Sequence, residues 1–327
     1  MDAKDYRILA ELDKECRQSN SQVGRKVGLS KEVVKYRIDK MIGAGIIIRF
    51  HTVINYFKLG VIKFKLYLRL THVNKSKLEE IAEYFNKNKK TEWVALTTGR
   101  WDLIIGFLVK NANEFDEEVQ AALTEFSQYI QEKAVTTTLY LAHHEREFLQ
   151  RENKRKSGGK IVYHTSQDEQ ESIGETSKEI LRILANNGRI SIVEIAEKLK
   201  TTPRIVQYRI KELESKKIIL AYKAHINPKR LGRIFCKLII YLTNITRKNL
   251  ADFINFSSHI NGAVWPQKVM GNWDFELDLE LNNYDELQEV ILLLKENFPE
   301  IIRNYEFCIL TKELKLDLFV NAHKSIK

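Results

Sequence analysis

Apolar positions near the N-terminus follow a helical period in three short stretches. Tyr6, Ile8, Leu9 and Leu12 share one side of a helix over Asp2 to Glu15, and a second short helix is expected about Ser21 to Val27. Gly28 then suits a left-handed turn. A third helix starts with Ser30 as N-cap and carries Val34, Ile38, Met41 and Ile42 at the spacing of a buried stripe. Ile46, Ile47 and Ile48 open a strand, completing the order of a winged helix-turn-helix. After Gly60 the pattern changes. A strand over Lys63 to Leu70 precedes a helix over Lys75 to Asn86, with Leu78, Ile81, Ala82 and Phe85 on one face. Strands at Glu92 to Thr97 and Leu103 to Val109 flank a turn at Gly99 to Asp102, followed by a helix over Asn113 to Gln131 and a strand over Val135 to Leu141. This βαββαβ order is ferredoxin-like.

The same order occurs twice. Val34, Tyr36, Arg37 and Ile38 recur as Val206, Tyr208, Arg209 and Ile210, a shift of 172 positions. That shift also maps Leu59 and Gly60 onto Leu231 and Gly232, Trp93 onto Trp265, and Gly99, Trp101 and Asp102 onto Gly271, Trp273 and Asp274. A constant offset without insertions marks a tandem duplication of a unit of about 150 residues. In the second copy Thr176 and Glu179 have capping-box form ahead of Ile180, Leu181, Ile183 and Leu184, and a helix over Ile192 to Leu199 ends in a turn at Lys200. Thr202 as N-cap and Pro203 in the first turn precede Val206, Ile210 and Leu213, and Ile218, Ile219 and Leu220 open the strand. Elements follow at Leu238–Leu242, Lys248–Phe256, residues 267–270, Asp274–Leu281, Tyr284–Asn297 and Tyr305–Leu310.

The expected fold class is therefore α+β: two tandem units, each a winged helix-turn-helix followed by a ferredoxin-like domain. The boundaries read as 1–60 and 61–148 for the first unit and 175–232 and 233–327 for the second. A polar, basic, flexible linker over 149–174, with Ser157, Gly158 and Gly159 inside it, joins them.

Charge sharpens this picture once it is located. The net +10 is distributed as +5 over residues 31–63, +10 over 198–237 and +4 over 151–160, leaving −9 elsewhere. Basic charge gathered on the two third helices and the joint is the footprint of a nucleic-acid binder, whereas a generally basic surface would not leave an acidic remainder. Opposite the apolar stripe the third helix presents Lys31, Glu32, Lys35, Tyr36 and Asp39 in one copy, and Arg204, Gln207, Tyr208 and Lys211 in the other, with Lys40, Arg49, Lys216 and Lys217 as further cations nearby. The cations suit phosphates, and Lys35, Tyr36, Gln207 and Tyr208 suit base edges in a major groove. Arg37 and Arg209, each beside a core isoleucine, read either as DNA contacts or as structural ion-pair partners.

The first helix with Ile8, Leu9 and Leu12, the pair Arg17 and Ser19 (Arg189 and Ser191), the Ser/Thr-x-x-x-Val-x-x-Arg-Ile run, then Gly45-Ile46-Ile47 and Leu59-Gly60, together resemble the Lrp/AsnC family of prokaryotic regulators. Both repeats carry the resemblance. It implies double-stranded DNA as partner, self-association, and an amino acid or similar metabolite as effector sensed by the ferredoxin-like domain. The family's G-x-x-D hairpin is matched by Gly99, Arg100, Trp101 and Asp102 and by Gly271, Asn272, Trp273 and Asp274. On that likeness the aspartates accept an amino group and the tryptophans wall a pocket; on the residues alone, each hairpin is a tight turn packed by an aromatic. Two unlike units on one chain either pair with each other as an intrachain pseudo-dimer or pair like with like in a homo-oligomer. A transcriptional regulator rather than an enzyme is the expectation. The double architecture also resembles the sirohaem decarboxylases, some of which fuse two such units, and an architectural DNA-binding protein is a third reading. The enzyme reading calls for His and Tyr about the hairpins, where this chain has Arg100, Trp101, Asn272 and Trp273.

The remaining chemistry is sparse. Cys16, Cys236 and Cys308 show no CxxC spacing and read as free thiols in a reducing cytoplasm. There is no signal peptide and no apolar run of the ~20 residues a membrane span needs, so a cytoplasmic location without membrane contact is expected. His143 and His144 lack the i, i+4 spacing of a helical metal site and are expected to face solvent. Ser157 to Lys160 lacks the P-loop spacing. No catalytic, metal or cofactor site is expected.

Overall fold

A computed structural model describes residues 1–150 and 162–320. In the first repeat the elements are α1 (Ala3–Lys14), α2 (Asn20–Val27), α3 (Lys31–Gly43), β1 (Ile47–Ile54), β2 (Ile62–Leu70), α4 (Lys75–Lys87), β3 (Thr91–Gly99), β4 (Leu103–Val109), α5 (Ala112–Phe126) and β5 (Ile130–His143). A strand β6 (Val162–Thr165) follows. The second repeat supplies α6 (Glu175–Asn186), α7 (Ile192–Lys198), α8 (Pro203–Ser215), β7 (Ile219–Ile226), β8 (Ile234–Leu242), α9 (Arg247–Ser258), β9 (Ala263–Gly271), β10 (Phe275–Leu281), α10 (Tyr284–Asn297) and β11 (Ile302–Leu316). No helix among the described residues is long and apolar enough to cross a membrane.

These elements form two compact units, and neither unit is one repeat. The first gathers Met1–Asn55, His143–Tyr163 and Glu171–Arg233, so it holds both helix-turn-helix segments. The second gathers Tyr56–Ala142, His164–Gln170 and Ile234–Lys327.

In the first unit the helix ends are set as the sequence dictates. Ser30 Oγ accepts the Val33 N–H and Thr202 Oγ1 accepts the Ile205 N–H, capping α3 and α8, with Pro203 in the first turn of α8. Gly28 ends α2 at φ +69°, and Lys200 takes the equivalent left-handed position at φ +50°. Val34, Ile38 and Met41 are buried with Ile8, Leu9, Leu12, Val23 and Val27, but Ile42 is exposed, because i+8 from Val34 has rotated off the stripe. The capping box expected at Thr176 is not formed. The helix starts two residues earlier, at Glu175, with Gly174 as N-cap, while capping boxes stand at Ser19–Gln22 and Ser191–Glu194.

Among the described residues, the strand after each third helix has no hairpin partner in its own repeat. β1 and β7 instead pair antiparallel with each other, with His51 opposite Lys223. These two residues are repeat counterparts, 172 positions apart, so a pseudo-two-fold axis passes between them.

In the second unit the two ferredoxin-like sheets join. The strand order β2-β4-β3-β11-β8-β10-β9-β5 is closed by β5 pairing back onto β2, giving an eight-stranded barrel, with β6 added beside β5. Each repeat contributes four consecutive members of the ring. Outward apolar residues such as Leu66, Leu68, Ile105 and Phe107 pack under α4 and α5, and Leu238, Ile240, Leu277 and Leu279 do the same under α9 and α10. The alternate residues point into the barrel.

Three sequence expectations shift here. The helix expected to Gln131 ends at Phe126, since β5 already begins at Ile130 to reach its partners. The segment 143–150 belongs to the helix-turn-helix unit: the Arg146 backbone N–H and guanidinium both reach Asp13, at 2.7 Å each. The linker expected over 149–174 contains β6, held by the Thr165 hydroxyl on Leu139 O at 3.1 Å and by the Ser166 N–H on the same oxygen at 2.9 Å; the Ser157–Lys160 stretch lies outside the described residues.

Candidate nucleic-acid interface

The third helices expose the faces the sequence assigns to DNA. Lys31, Lys35, Tyr36 and Lys40 on α3 and Arg204, Gln207, Tyr208 and Lys211 on α8 are all exposed, with Tyr36 at 67% and Tyr208 at 64%. An exposed tyrosine at the same place in both copies leaves a large flat side chain without a core to fill. Lys35 meets Asp39 one turn on at 2.7 Å, an open pair that DNA phosphates can displace. Arg37 is different. Its guanidinium reaches Asp2 and Asp5 at 2.7 Å each and ties α3 to the start of α1. Arg209 bonds Glu212 on its own helix at 2.8 Å and lies over the Tyr208 ring.

Contacts about the β1–β7 axis come in matched pairs. Cys16 N–H donates to Tyr222 O at 2.8 Å, and its counterpart Gly188 N–H donates to Phe50 O at 2.9 Å. Arg17 lies over the Tyr222 ring and Arg189 over the Phe50 ring, both at 5.1 Å. Arg17 also donates to Gly188 O at 2.9 Å and Arg189 to Asn20 Oδ1 at 2.8 Å. The arginine of the Arg-x-Ser motif thus serves the pairing of two helix-turn-helix segments. Because α3 packs on β1 and α8 on β7, the exposed faces of the two helices are related by the pseudo-two-fold.

Behind the sheet, Asp13, Arg146 and Lys223 form a buried ionic cluster; burial opposes the Asp13 charge, and Lys223 and Arg146 outweigh it and hold the carboxyl below its ordinary value. His51 and His225 lie beside it with rings 6.0 Å apart, and burial, then His225 and the nearby cations, push His51 well below the ordinary imidazole value. His144, expected at the surface, is buried here because the chain leaving β5 folds against α1, and its carbonyl accepts from Lys223 at 3.2 Å. His143 is half-buried.

The two hairpins are also matched, and each residue has a place inside the barrel unit. Asp102 accepts the Leu70 N–H at 2.8 Å and Asp274 the Leu242 N–H at 2.7 Å. Trp101 and Trp273 are buried in the barrel. Gly99 and Gly271 have φ of +116° and +143°, and a Cβ on Gly99 would lie 2.9 Å from Phe307 O in the other repeat. Arg100 N–H donates to Phe307 O at 3.3 Å and Asn272 N–H to Val135 O at 3.2 Å, again counterparts. The Arg100 side chain pairs with Glu132 and Glu306, and Asn272 Oδ1 accepts the Val135 N–H at 2.8 Å. The hairpins splice the two halves.

The inside of the barrel holds charges that the sequence pattern did not single out. Lys65 donates to Glu276 and, at 2.5 Å, to Gln267; Lys237 donates to Glu276 at 3.1 Å and Asp278 at 2.5 Å; all five side chains are buried. Trp273 Nε1 completes the Glu276 carboxylate at 3.1 Å. Burial opposes the Glu276 charge, and Lys65 and Lys237 outweigh it, so its carboxyl lies far below the ordinary range. A period-two strand reading flags Glu276, Asp278 and Glu280 as one face, which is the signal that was available.

Comparisons with known proteins agree with this frame. Residues 1–42 match the model of the AsnC-type helix-turn-helix domain, and 174–219 that of winged helix-turn-helix DNA-binding proteins. An uncharacterised HTH-type transcriptional regulator of Pyrococcus horikoshii is 32% identical over 127 residues, covering 38% of this chain and 84% of that protein. One of Pyrococcus furiosus is 30% identical over 118 residues, covering 36% and 78%. Over the full length the fold is similar to that of the siroheme decarboxylase NirDL, with a TM-score of 0.63 at 13% identity, covering 96% of this chain and 92% of that one. At that identity the likeness is one of fold. With regulators matching most of their own length at 30% identity or above, each over about one repeat, this chain belongs to the Lrp/AsnC family of helix-turn-helix transcriptional regulators, as a tandem of two such units.

Proposed function

We propose that the chain is a sequence-specific transcriptional regulator in which α3 and α8 of one molecule read the two halves of an asymmetric DNA site. The observation that carries this reading is the β1–β7 pairing about His51 and Lys223, which relates two unlike recognition faces by a pseudo-two-fold within one chain. Single-copy helix-turn-helix dimers read palindromes with half-sites about a helical turn, or a multiple of it, apart. Here Gln207 suits adenine N6 and N7 where its counterpart Lys35 suits guanine O6 or N7, so the halves differ in preferred base. Selection from random DNA with the intact protein tests this. A two-part, non-palindromic consensus is expected, and a strict palindrome, or no consensus, overturns it.

An effector role for the hairpins is the finer part of the reading. It rests on the family likeness, while the internal partners of Arg100, Asp102, Asn272 and Asp274 argue for a structural share in any such site. A thermal-shift screen of amino acids is its test: no shift by any of them leaves the barrel as an assembly unit. The full-length fold likeness to NirDL supports a second, enzymatic reading, in which the barrel unit would act on a tetrapyrrole. The hairpins Gly99–Asp102 and Gly271–Asp274 carry Trp101 and Trp273 and no His, which favours the regulator. Incubation with an iron tetrapyrrole and a search for released carbon dioxide separates the two.

A further inference from the structure

We infer that the charges inside the barrel are a partner-selecting surface: the ferredoxin-like half of repeat 1 fits the acid-bearing half of repeat 2 and rejects a second copy of itself. Under the 172-residue shift Lys65 and Lys237 are counterparts, but Glu276 and Asp278 correspond to Ile104 and Gly106, and Gln267 to Ala95. Each half therefore brings a lysine, and one half alone brings the carboxylates for both. Within this chain the count closes. Lys65 of β2 reaches Glu276 of β10, Lys237 bridges Glu276 and Asp278, and Gln267 links Lys65 to Asp278. Glu92, also buried in repeat 1, is taken by Lys63 of the same repeat.

Like pairs cannot close it. Two copies of repeat 1 would bury two Lys65 ammonium groups against Ile104 and Gly106, where the one neighbouring carboxylate, Glu92, is already held by Lys63. Two copies of repeat 2 would set two lysines against the four carboxylates of a doubled Glu276 and Asp278. A buried charge without a partner is strongly destabilising, whereas a balanced buried network is often no better than an apolar core of the same volume. Such a network is poorly explained as a source of stability and well explained as discrimination, since specificity is built by what the wrong partner leaves unpaired. The indoles show the same asymmetry. Trp273 Nε1 donates to Glu276, while its counterpart Trp101, with Ile104 in the equivalent place, has no hydrogen-bond partner for Nε1 among the described residues.

The experiment removes the tether from the intact protein. A protease site is placed between residues 151 and 161, the purified chain is cut, and the halves are unfolded in urea, refolded together and weighed by native mass spectrometry. With the natural interior the unlike complex should exceed like pairs by about 100-fold or more. In a Lys65→Met, Lys237→Met, Glu276→Leu, Asp278→Leu protein that preference should fall at least about tenfold. Like pairs in comparable amounts from the natural halves, or an undiminished preference in the apolar variant, overturn the proposal. If the fourfold variant does not refold, the uncut chain decides through a double-mutant cycle of urea midpoints. The loss caused by Glu276→Gln should then shrink by about half or more in a Lys65→Met background, and strictly additive effects overturn the proposal.

Discussion

The helix-turn-helix unit and the barrel unit are built by the same duplication and differ in where they keep the repeats unlike. In the first, the joint is symmetric: Arg17 and Arg189, Cys16 and Gly188, Phe50 and Tyr222 repeat the same contacts, and the differences sit outside on α3 and α8. In the second, the splice is symmetric at Asp102 and Asp274, and the differences sit inside, on the inward faces of β3, β4, β9 and β10. A duplicated gene can change an exposed face without consequence for folding, so the outer differences are free to follow a DNA sequence. Inner differences are tolerated only if they compensate one another, and Lys65, Lys237, Glu276 and Asp278 do.

The largest expected effect is on the inner side of this comparison. Glu276→Ala leaves two buried lysines against one carboxylate and should cost about 3–5 kcal/mol, against less than about 1 kcal/mol for Asp39→Ala in the open pair with Lys35. Thermal melts of both variants give the contrast, and similar losses would mean that the buried charges are no more than ordinary polar residues. The acid limb reads the same group. A carboxyl depressed in the folded state contributes stability that is full above its unfolded value of about 4.3 and is lost as pH falls below it. Urea midpoints of the natural protein should therefore decline from about pH 4.5 downward, and Glu276→Gln should flatten that decline.

On the outer side, the affinity for DNA should fall about 10³-fold or more between 50 and 200 mM salt if six or more phosphates are met. A titration with nearly no slope would remove Lys31, Lys35, Lys40, Arg204 and Lys211 from the interface. A smaller and more local effect follows for Gln207→Ala, about 1–3 kcal/mol of base discrimination at one half-site alone. Equal loss in both halves would show that α8 of two chains, rather than α3 and α8 of one, occupy the site.

Much of the fold was legible because the duplication shows itself in side chains with fixed tasks. Ser30 and Thr202 as caps, Pro203 in a first turn, Gly28 in a left-handed turn and the alternation from Lys63 to Leu70 each name a local structure by its chemistry. The exposed faces of α3 and α8 were legible for the same reason, since an inward stripe at Val34, Ile38 and Met41 leaves one outward side. The pairing of β1 with β7 and the closure of the barrel were not, because strand partners depend on contacts far apart in sequence that local propensity does not encode. The charged interior was hidden for a related reason: Lys65 and Glu276 are 211 residues apart, and neither looks buried until the ring closes. His144 was misplaced on the same ground, its surroundings being supplied by α1 and β7.

The smallest effect tests whether the two repeats differ in turn chemistry as they do in charge. Gly28 and Lys200 close α2 and α7, at φ +69° and +50°. Glycine adopts that conformation without a Cβ clash, whereas a residue with a side chain is disfavoured there by about 1–2 kcal/mol, partly offset by the greater freedom glycine has in the unfolded chain. A Cβ on Gly28 would meet no more than the Lys4 Nζ at 3.4 Å, so space does not decide the outcome and the backbone does. Lys200→Gly should accordingly raise stability by about 0.5–1 kcal/mol and Gly28→Ala should lower it by a similar amount, both read from urea midpoints. If Lys200→Gly instead destabilises, the lysine side chain is making a contact that outweighs its strained backbone, and the turn of the second repeat is a further place where the copies have been put to different use.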